Sequence, residues 1–114
     1  MLNPNNTKRI YVAGPMTGIE NLNFPEFDRV TKELRADGFV VISPHEHTGP
    51  VLGGAEADAY AWVLARDIML LSECSTVILL DGWEDSTGAN LEVAFAKATT
   101  KHIVTYEAYK NDKV

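Results

Sequence analysis

Basic residues are scarce in this chain: ten Lys and Arg stand against sixteen Asp and Glu, a formal net charge of −6. A surface with that balance has no general attraction for a polyanion, so no nucleic acid polymer is expected as a partner. A small anion stays compatible, because free N–H groups at a helix start hold phosphate whatever the overall charge. Cysteine is scarcer still, and the single Cys74 excludes an intrachain disulfide. Long apolar runs are missing: none approaches the ~20 residues that cross a bilayer. No basic-then-apolar leader precedes the first apolar segment. These absences predict a cytoplasmic protein with no membrane partner. Repeats and low-complexity tracts are lacking too.

What the chain does contain is the material of one globular domain. Its 114 residues are 46% hydrophobic, enough for a single core. Residues 1–114 are expected to form one domain whose polar ends, 1–7 and 110–114, fray. RIYVA at 9–13 reads as a strand, stopped by GPMTG, where two glycines and a proline forbid regular structure. From Phe24 the apolar positions Phe24, Phe27, Val30 and Leu34 recur at spacings of three and four, and Gly38 closes the pattern as an amphipathic helix. FVVIS at 39–43 reads as a buried strand ended by Pro44, and the glycine-rich HTGPVLGGAEA at 47–57 as a surface loop. A second helix is predicted over 57–73, with Trp62, Ala65, Met69 and Ser72 along one stripe. TVILLD at 76–81 is the strongest buried strand, a third helix begins near Ser86 or Thr87, and HIVTY at 102–106 is a fourth strand.

Strands alternating with helices through connections of this length imply a parallel sheet covered on both faces. The expected fold is α/β: a small Rossmann-like, flavodoxin-like three-layer sandwich on a mainly parallel sheet of about four strands. Ligands of such sheets bind beyond the carboxyl ends of the strands, where strand order reverses. Those ends are AGPMTG, SPHEH and DGWEDSTG.

Within DSTGANLEVAFAKA, residues 85–98, one carboxylate interrupts an apolar stretch. On a helix beginning near Ser86, Glu92 shares a stripe with Gly88, Phe95 and Ala96. The N-terminal dipole there favours its ionised form. A half-buried carboxylate beside a pocket is a candidate nucleophile or base; the competing reading is a helix-start glutamate placed for the dipole alone. DSTG is equally open, as an N-cap or as an anion site, and the two can coexist. Asp67, between Arg66 and Ile68, again puts one acid on an apolar stripe, against the plainer reading of an Arg66-assisted surface acid. Tyr11 reads by default as a core aromatic whose hydroxyl finds a partner. His45 and His47 flank Glu46 but are too few for a metal centre, so no metal is expected. Cys74 and Trp62 read as packing residues. Trp83, on a loop, packs or covers a base.

The order YVAGPMTG, then ARDIMLLSECSTVILLDGWEDSTGANLEVAFAKA, resembles the nucleoside 2-deoxyribosyltransferase superfamily. Within it the chain is most similar to the 2′-deoxynucleoside 5′-phosphate N-hydrolase branch and to phage and bacterial proteins with the same AGPMTG…GWE.S.GA..E pattern. The likeness spans Tyr11 to about Tyr106. It implies that Glu92 attacks the anomeric carbon of a nucleoside unit, that Asp67 positions the sugar and supplies a proton to the base, and that Tyr11 orients the nucleophile. Substrate contacts are then expected from Gly14, Pro15, Thr17 and Gly18 in the first loop and from Trp83, Ser86, Thr87 and Gly88 in the second. Ser86 matches the position that reads the sugar's 5′ end. Branches acting on free nucleosides carry a carboxylate there, whereas a serine can donate to a phosphate beside the N–H groups of Thr87 and Gly88.

The resemblance therefore implies hydrolysis or transfer at the N-glycosidic bond of a (deoxy)nucleoside 5′-monophosphate, with no cofactor. Two departures stand beside it. Thr17 occupies the place of an arginine in the nucleotide-hydrolysing branch, and relatives continue past the fourth strand through a helix and strand that help complete a neighbouring subunit's pocket. A homodimer or larger homo-oligomer is expected on that ground. The rival readings are a non-catalytic nucleotide-binding or sequestering protein, and a deoxyribosyltransferase acting on free nucleosides. A third is a phosphoribohydrolase, whose loop STGANLE resembles without its double-glycine start.

Overall fold

The computed structural model describes residues 2–47 and 58–113. Apart from His47, the glycine-rich loop expected at 47–57 lies outside them. The elements run β1 (Ile10–Ala13), α1 (Phe24–Ala36), β2 (Val41–Ile42), α2 (Ala59–Ser72), β3 (Thr76–Leu79), α3 (Thr87–Ala98), β4 (His102–Thr105) and α4 (Tyr106–Asp112), with single helical turns at Glu20–Asn23, Pro44–Glu46 and Trp83–Asp85.

Among the described residues four strands form one sheet in the order β2-β1-β3-β4, every neighbouring pair parallel. Tyr11 lies beside Ile42 on one side and Val77 on the other, and Thr76 beside His102. The chain leaves β1 for β2, then crosses back over β1 to β3, so the order reverses between β1 and β3. The loops after those two strands therefore flank the crevice in which a doubly wound sheet places its ligand.

Alternation along the strands divides the core. Ile10, Val12, Ile78 and Leu80 join Phe27, Val30 and Leu34 of α1 and Tyr106 and Tyr109 of α4. Tyr11, Ala13, Val77 and Leu79 face the other way, onto Leu71 of α2 and Val93 and Ala96 of α3. This is the three-layer α/β sandwich expected from the sequence.

The α1 boundary follows from backbone chemistry. Gly38 takes φ +97°, donating to Arg35 O at 3.0 Å while Phe39 N–H reaches Leu34 O at 3.1 Å. That pair of bonds, with a left-handed glycine, is a Schellman stop, and Phe39 and Leu34 meet in the core beneath it. The same stop shortens β2. Phe39 belongs to the cap and Val40 is 58% exposed, so only Val41 and Ile42 of the expected 39–43 strand pair as a strand.

Helix α2 corrects the expected stripe. Met69 is 71% exposed and Ala65 and Ser72 face solvent, while Asp67 and Leu71 are buried. AYAWVLARDIMLLS is apolar on nearly every side, so its periodicity does not choose a face; packing on the sheet chooses the one carrying the acid. Helix α4 is also absent from the sequence expectation, which ends at a strand reaching Tyr106. Thr105 caps it by accepting from Ala108 N–H at 3.1 Å, and both its tyrosines are buried. Tyr106 donates to Glu33 Oε1 at 2.6 Å and Tyr109 to Asp37, while Lys113 Nζ lies 2.8 Å from each of those carboxylates. No helix among the described residues is long and apolar enough to cross a membrane.

Candidate active site

The strand alternation that sends Ile10 and Val12 toward α1 sends Tyr11 toward α2 and α3. There its hydroxyl donates to Oε2 of Glu92. Glu92 is 5% exposed, one of few buried charged side chains. Burial pushes its carboxyl up to about 8; the Tyr11 hydrogen bond opposes that rise and the nearby Asp67 adds to it. The helix dipole alone would keep Glu92 ionised, and here burial outweighs it. Burial likewise raises the Tyr11 hydroxyl far above its ordinary range, with Glu92 and Asp67 adding to the effect.

Asp67 enters from α2. Burial raises its carboxyl, while Arg66 and His47 pull the other way. Arg66 donates to Asp67 Oδ1 through Nε at 3.2 Å and Nη2 at 2.9 Å. The guanidinium also lies 5.7 Å from the centre of the Trp62 ring.

Glu92 and Asp67 line one cavity of about 310 Å³. Its apolar walls are Met16, Leu22, Phe27, Pro44, Val63 and Leu64, and Thr17, Tyr60 and Ser86 add hydroxyls. Those same three hydroxyl residues border a second recess of about 650 Å³, which Pro15, Ile19, Asp81, Gly82, Asp85 and Thr87 complete. The pair has the character of a small-molecule site, with apolar walls and a few convergent polar groups.

Most of the expected site residues come together here. Gly14, Thr17, Ser86 and Gly88 line the inner cavity, and Pro15 and Thr87 the outer one. Gly14 is there because nothing larger fits: a Cβ would sit 2.7 Å from Leu80 Cβ. Ser86 is the N-cap of α3, its Oγ accepting from Ala89 N–H at 3.2 Å. Gly18 and Trp83 stand apart from both cavities, Trp83 packing against the core under α2 and α3. His45 is built into the fold, with Nδ1 2.6 Å from Ser43 Oγ and its ring against Phe24 and Phe27. Cys74 is buried at the end of α2, and burial pushes its thiol up to about 11.

Sequence reasoning missed Tyr60 and Leu22. Tyr60 reads as one more aromatic in an apolar helix. Leu22 reaches the cavity through a backbone no pattern announces: Asn21, Leu22 and Asn23 all have positive φ, at 53°, 54° and 60°. Asn23 Nδ2 donates to Pro15 O at 3.0 Å, tying that turn to the loop after β1. Among the described residues no group of three or more His, Cys, Asp or Glu side chains is placed to hold a metal ion.

A family described as a domain of unknown function, DUF4406, matches residues 8–105. The chain belongs to the DUF4406 family. All residues lining the two cavities fall within the DUF4406 match. No curated protein matches the sequence. Among solved structures, the 2-deoxyribosyltransferase of Bacillus psychrosaccharolyticus, described as a biocatalyst for the synthesis of antiviral and antitumoral nucleosides, superposes with a TM-score of 0.67 at 21% identity. The match covers 85% of this chain and 70% of that enzyme. The 2-deoxyribosyltransferase of Leishmania mexicana gives a TM-score of 0.64 at 20% identity, covering 87% of this chain and 63% of the enzyme. This DUF4406 chain shares their fold, and it spans about two thirds of their length.

Proposed function

We propose that this protein cleaves the N-glycosidic bond of a nucleoside, or of its 5′-monophosphate, with Glu92 as the nucleophile. The observation that carries this reading is a buried carboxylate, held by a strand tyrosine, sharing a ligand-sized cavity with a second buried acid. The shared fold of the 2-deoxyribosyltransferases supports it.

Tyr11 occupies Oε2 of Glu92, which leaves Oε1 for attack. In its ionised form Glu92 bonds to C1′ as the C1′–N bond breaks. The electron pair of that bond leaves with the base, which takes a proton from Asp67. The resulting glycosyl ester is opened by water, whose proton passes to the Asp67 carboxylate, or by a second base that takes the sugar and gives its own N–H proton to the same carboxylate. Either route returns Glu92 as a carboxylate. A poorly solvated carboxylate, with its pKa pushed up to about 8, is a more reactive nucleophile than a surface glutamate.

The 5′ end is decided around Ser86. The sequence resemblance favours a phosphate held by Ser86, Thr87 and Gly88. Against that, the outer recess carries the carboxylates of Asp81 and Asp85, and neither Lys nor Arg is among the described residues lining it. That arrangement favours a neutral 5′-hydroxyl and a free nucleoside.

The test is to incubate the purified protein with deoxynucleosides, ribonucleosides and their 5′-monophosphates, with and without an acceptor base, and to resolve the products by chromatography. Release of free base, lost in Glu92→Gln, is the expected result. A ligand retained without any product would favour the sequestering reading instead.

A further inference from the structure

We propose that Arg66 is a positioning residue for Asp67: it ties down one carboxylate oxygen and leaves the other to carry the proton delivered to the departing base. This rests on the glycosidic reading above and adds a residue to it.

The geometry is unusual in two respects. Adjacent residues on a helix do not face each other, yet the Arg66 guanidinium folds back onto its own neighbour. Moreover, both of its donors converge on Oδ1, at 3.2 and 2.9 Å. The exposed pairs of the same molecule behave differently. Arg35 gives one donor to each oxygen of Glu46, at 2.8 and 2.7 Å, and Arg29 does the same to Glu26. Those are the fork-to-fork pairs that a guanidinium and a carboxylate ordinarily adopt. In the Arg66 pair, Oδ2 receives no hydrogen bond from any described residue, and Asp67 lines the inner cavity.

Trp62 explains how the guanidinium stays put. Its ring lies one helical turn before Arg66, under the charge, and the Arg66 side chain is only 19% exposed. The pair is thus held from two sides, by the ring and by Oδ1.

The electrostatic consequence follows from the groups around Asp67. His47 and Arg66 favour its ionised form, while burial disfavours it and Glu92 and Tyr11 stand nearby. Without Arg66 the carboxyl would hold its proton more tightly and would be free to turn both oxygens. An acid that must release a proton and take one back in each cycle needs the opposite on both counts.

Two measurements test this. In the first, the Asp67 carboxyl carbon is followed by NMR against pH in the wild-type protein, Arg66→Gln and Arg66→Lys. The midpoint should rise in Arg66→Gln and stay closer to wild type in Arg66→Lys, which keeps the charge; an unmoved midpoint in Arg66→Gln overturns the proposal. This readout requires no turnover. The second is a double-mutant cycle on base release. Arg66→Gln should lower kcat roughly tenfold with little change in KM, a part of the ~10²–10⁴ that a general acid contributes, and should cost nothing further in an Asp67→Asn background. Equal losses in both backgrounds would make Arg66 merely structural. If Arg66→Gln does not fold, Arg66→Lys carries the cycle: it retains charge but not the paired donors, and should still lose rate only when Asp67 is present. Wild-type protein that releases no base from any substrate would defeat the glycosidic reading and the catalytic part of this inference, while the NMR titration still decides the pairing.

Discussion

The hydroxyl of Tyr11, on a central strand, donates to Oε2 of Glu92, 81 residues further along the chain. One bond fastens α3 to the sheet and, under the glycosidic reading proposed above, also decides which carboxylate oxygen remains for chemistry. Stability and reactivity are therefore coupled at that contact.

Tyr11→Phe separates the two. Loss of the hydroxyl leaves a buried acceptor without its donor, which costs ~1–3 kcal/mol. It also removes the interaction that favours ionised Glu92, so the Glu92 carboxyl rises above its present value of about 8. Denaturant melts should show the destabilisation, and the pH dependence of base release should move toward alkali. A variant that melts and reacts like wild type would contradict the assignment.

The pH dependence of folding carries a definite sign. Folded Glu92 binds its proton more tightly than the unfolded chain does, since its pKa rises from 4.5 to about 8. Its contribution is fully present below pH 4.5 and is lost as pH climbs through about 8, at ~1.4 kcal/mol for each pH unit across that window. Glu92→Gln should remove that loss. Melts across the same range should show a flatter profile, with the variant gaining on wild type in alkali, and base release should vanish. For wild type, kcat/KM should be bell-shaped in pH, because turnover needs Glu92 ionised and Asp67 protonated in the same molecule.

Ser86 offers a test of the substrate's 5′ end. Ser86→Ala removes the acceptor for Ala89 N–H and should cost ~1 kcal/mol. Ser86→Asp keeps a cap but adds a third carboxylate beside Asp81 and Asp85. Turnover of a 5′-monophosphate should fall by about tenfold relative to its nucleoside, with the gap narrowing as salt is added. Equal losses for both substrates would reduce Ser86 to a helix cap.

Gly14→Ala tests the floor of the inner cavity. The new methyl would meet Leu80 Cβ at 2.7 Å, inside the core. Overpacking of that kind costs ~1–3 kcal/mol. A calorimetric melt should record the loss, and normal stability would mean that β1 and β3 can part there at no cost.

The sequence declares some of this and conceals the rest for physical reasons. IYVA ends at Gly14 and TVILL at Asp81 and Gly82, and both runs are short and rich in β-branched residues, so the parallel sheet is legible. Glu92 is conspicuous because a charge among small residues needs an explanation. Helix α2 is different: apolar residues on all sides leave its buried face to be chosen by the sheet, and the face chosen holds Asp67. Helix α4 is seven residues long, too short for periodicity, and depends on Glu33 of α1 and on its C-cap Asp37, 73 and 72 residues away. Tyr60 and Leu22 reach the cavity only through tertiary placement. The Arg66 pairing is legible as the plainer reading of Asp67; that the pair is buried and that Asp67 lines the cavity are not, because they depend on which face of α2 meets the sheet.

The strand order has a kinetic consequence. Tyr11 sits on β1, and the sheet partner it needs, β3, arrives only after β2 and α2 have been laid across it; Glu92 follows later still, on α3. Contacts so distant along the chain incur their loop-closure entropy before they return any stabilisation, which slows folding. During synthesis, the first two thirds of the polypeptide hold Tyr11 and Asp67 but not Glu92. The site is thus among the last features to be completed, and a partly folded chain lacks it altogether.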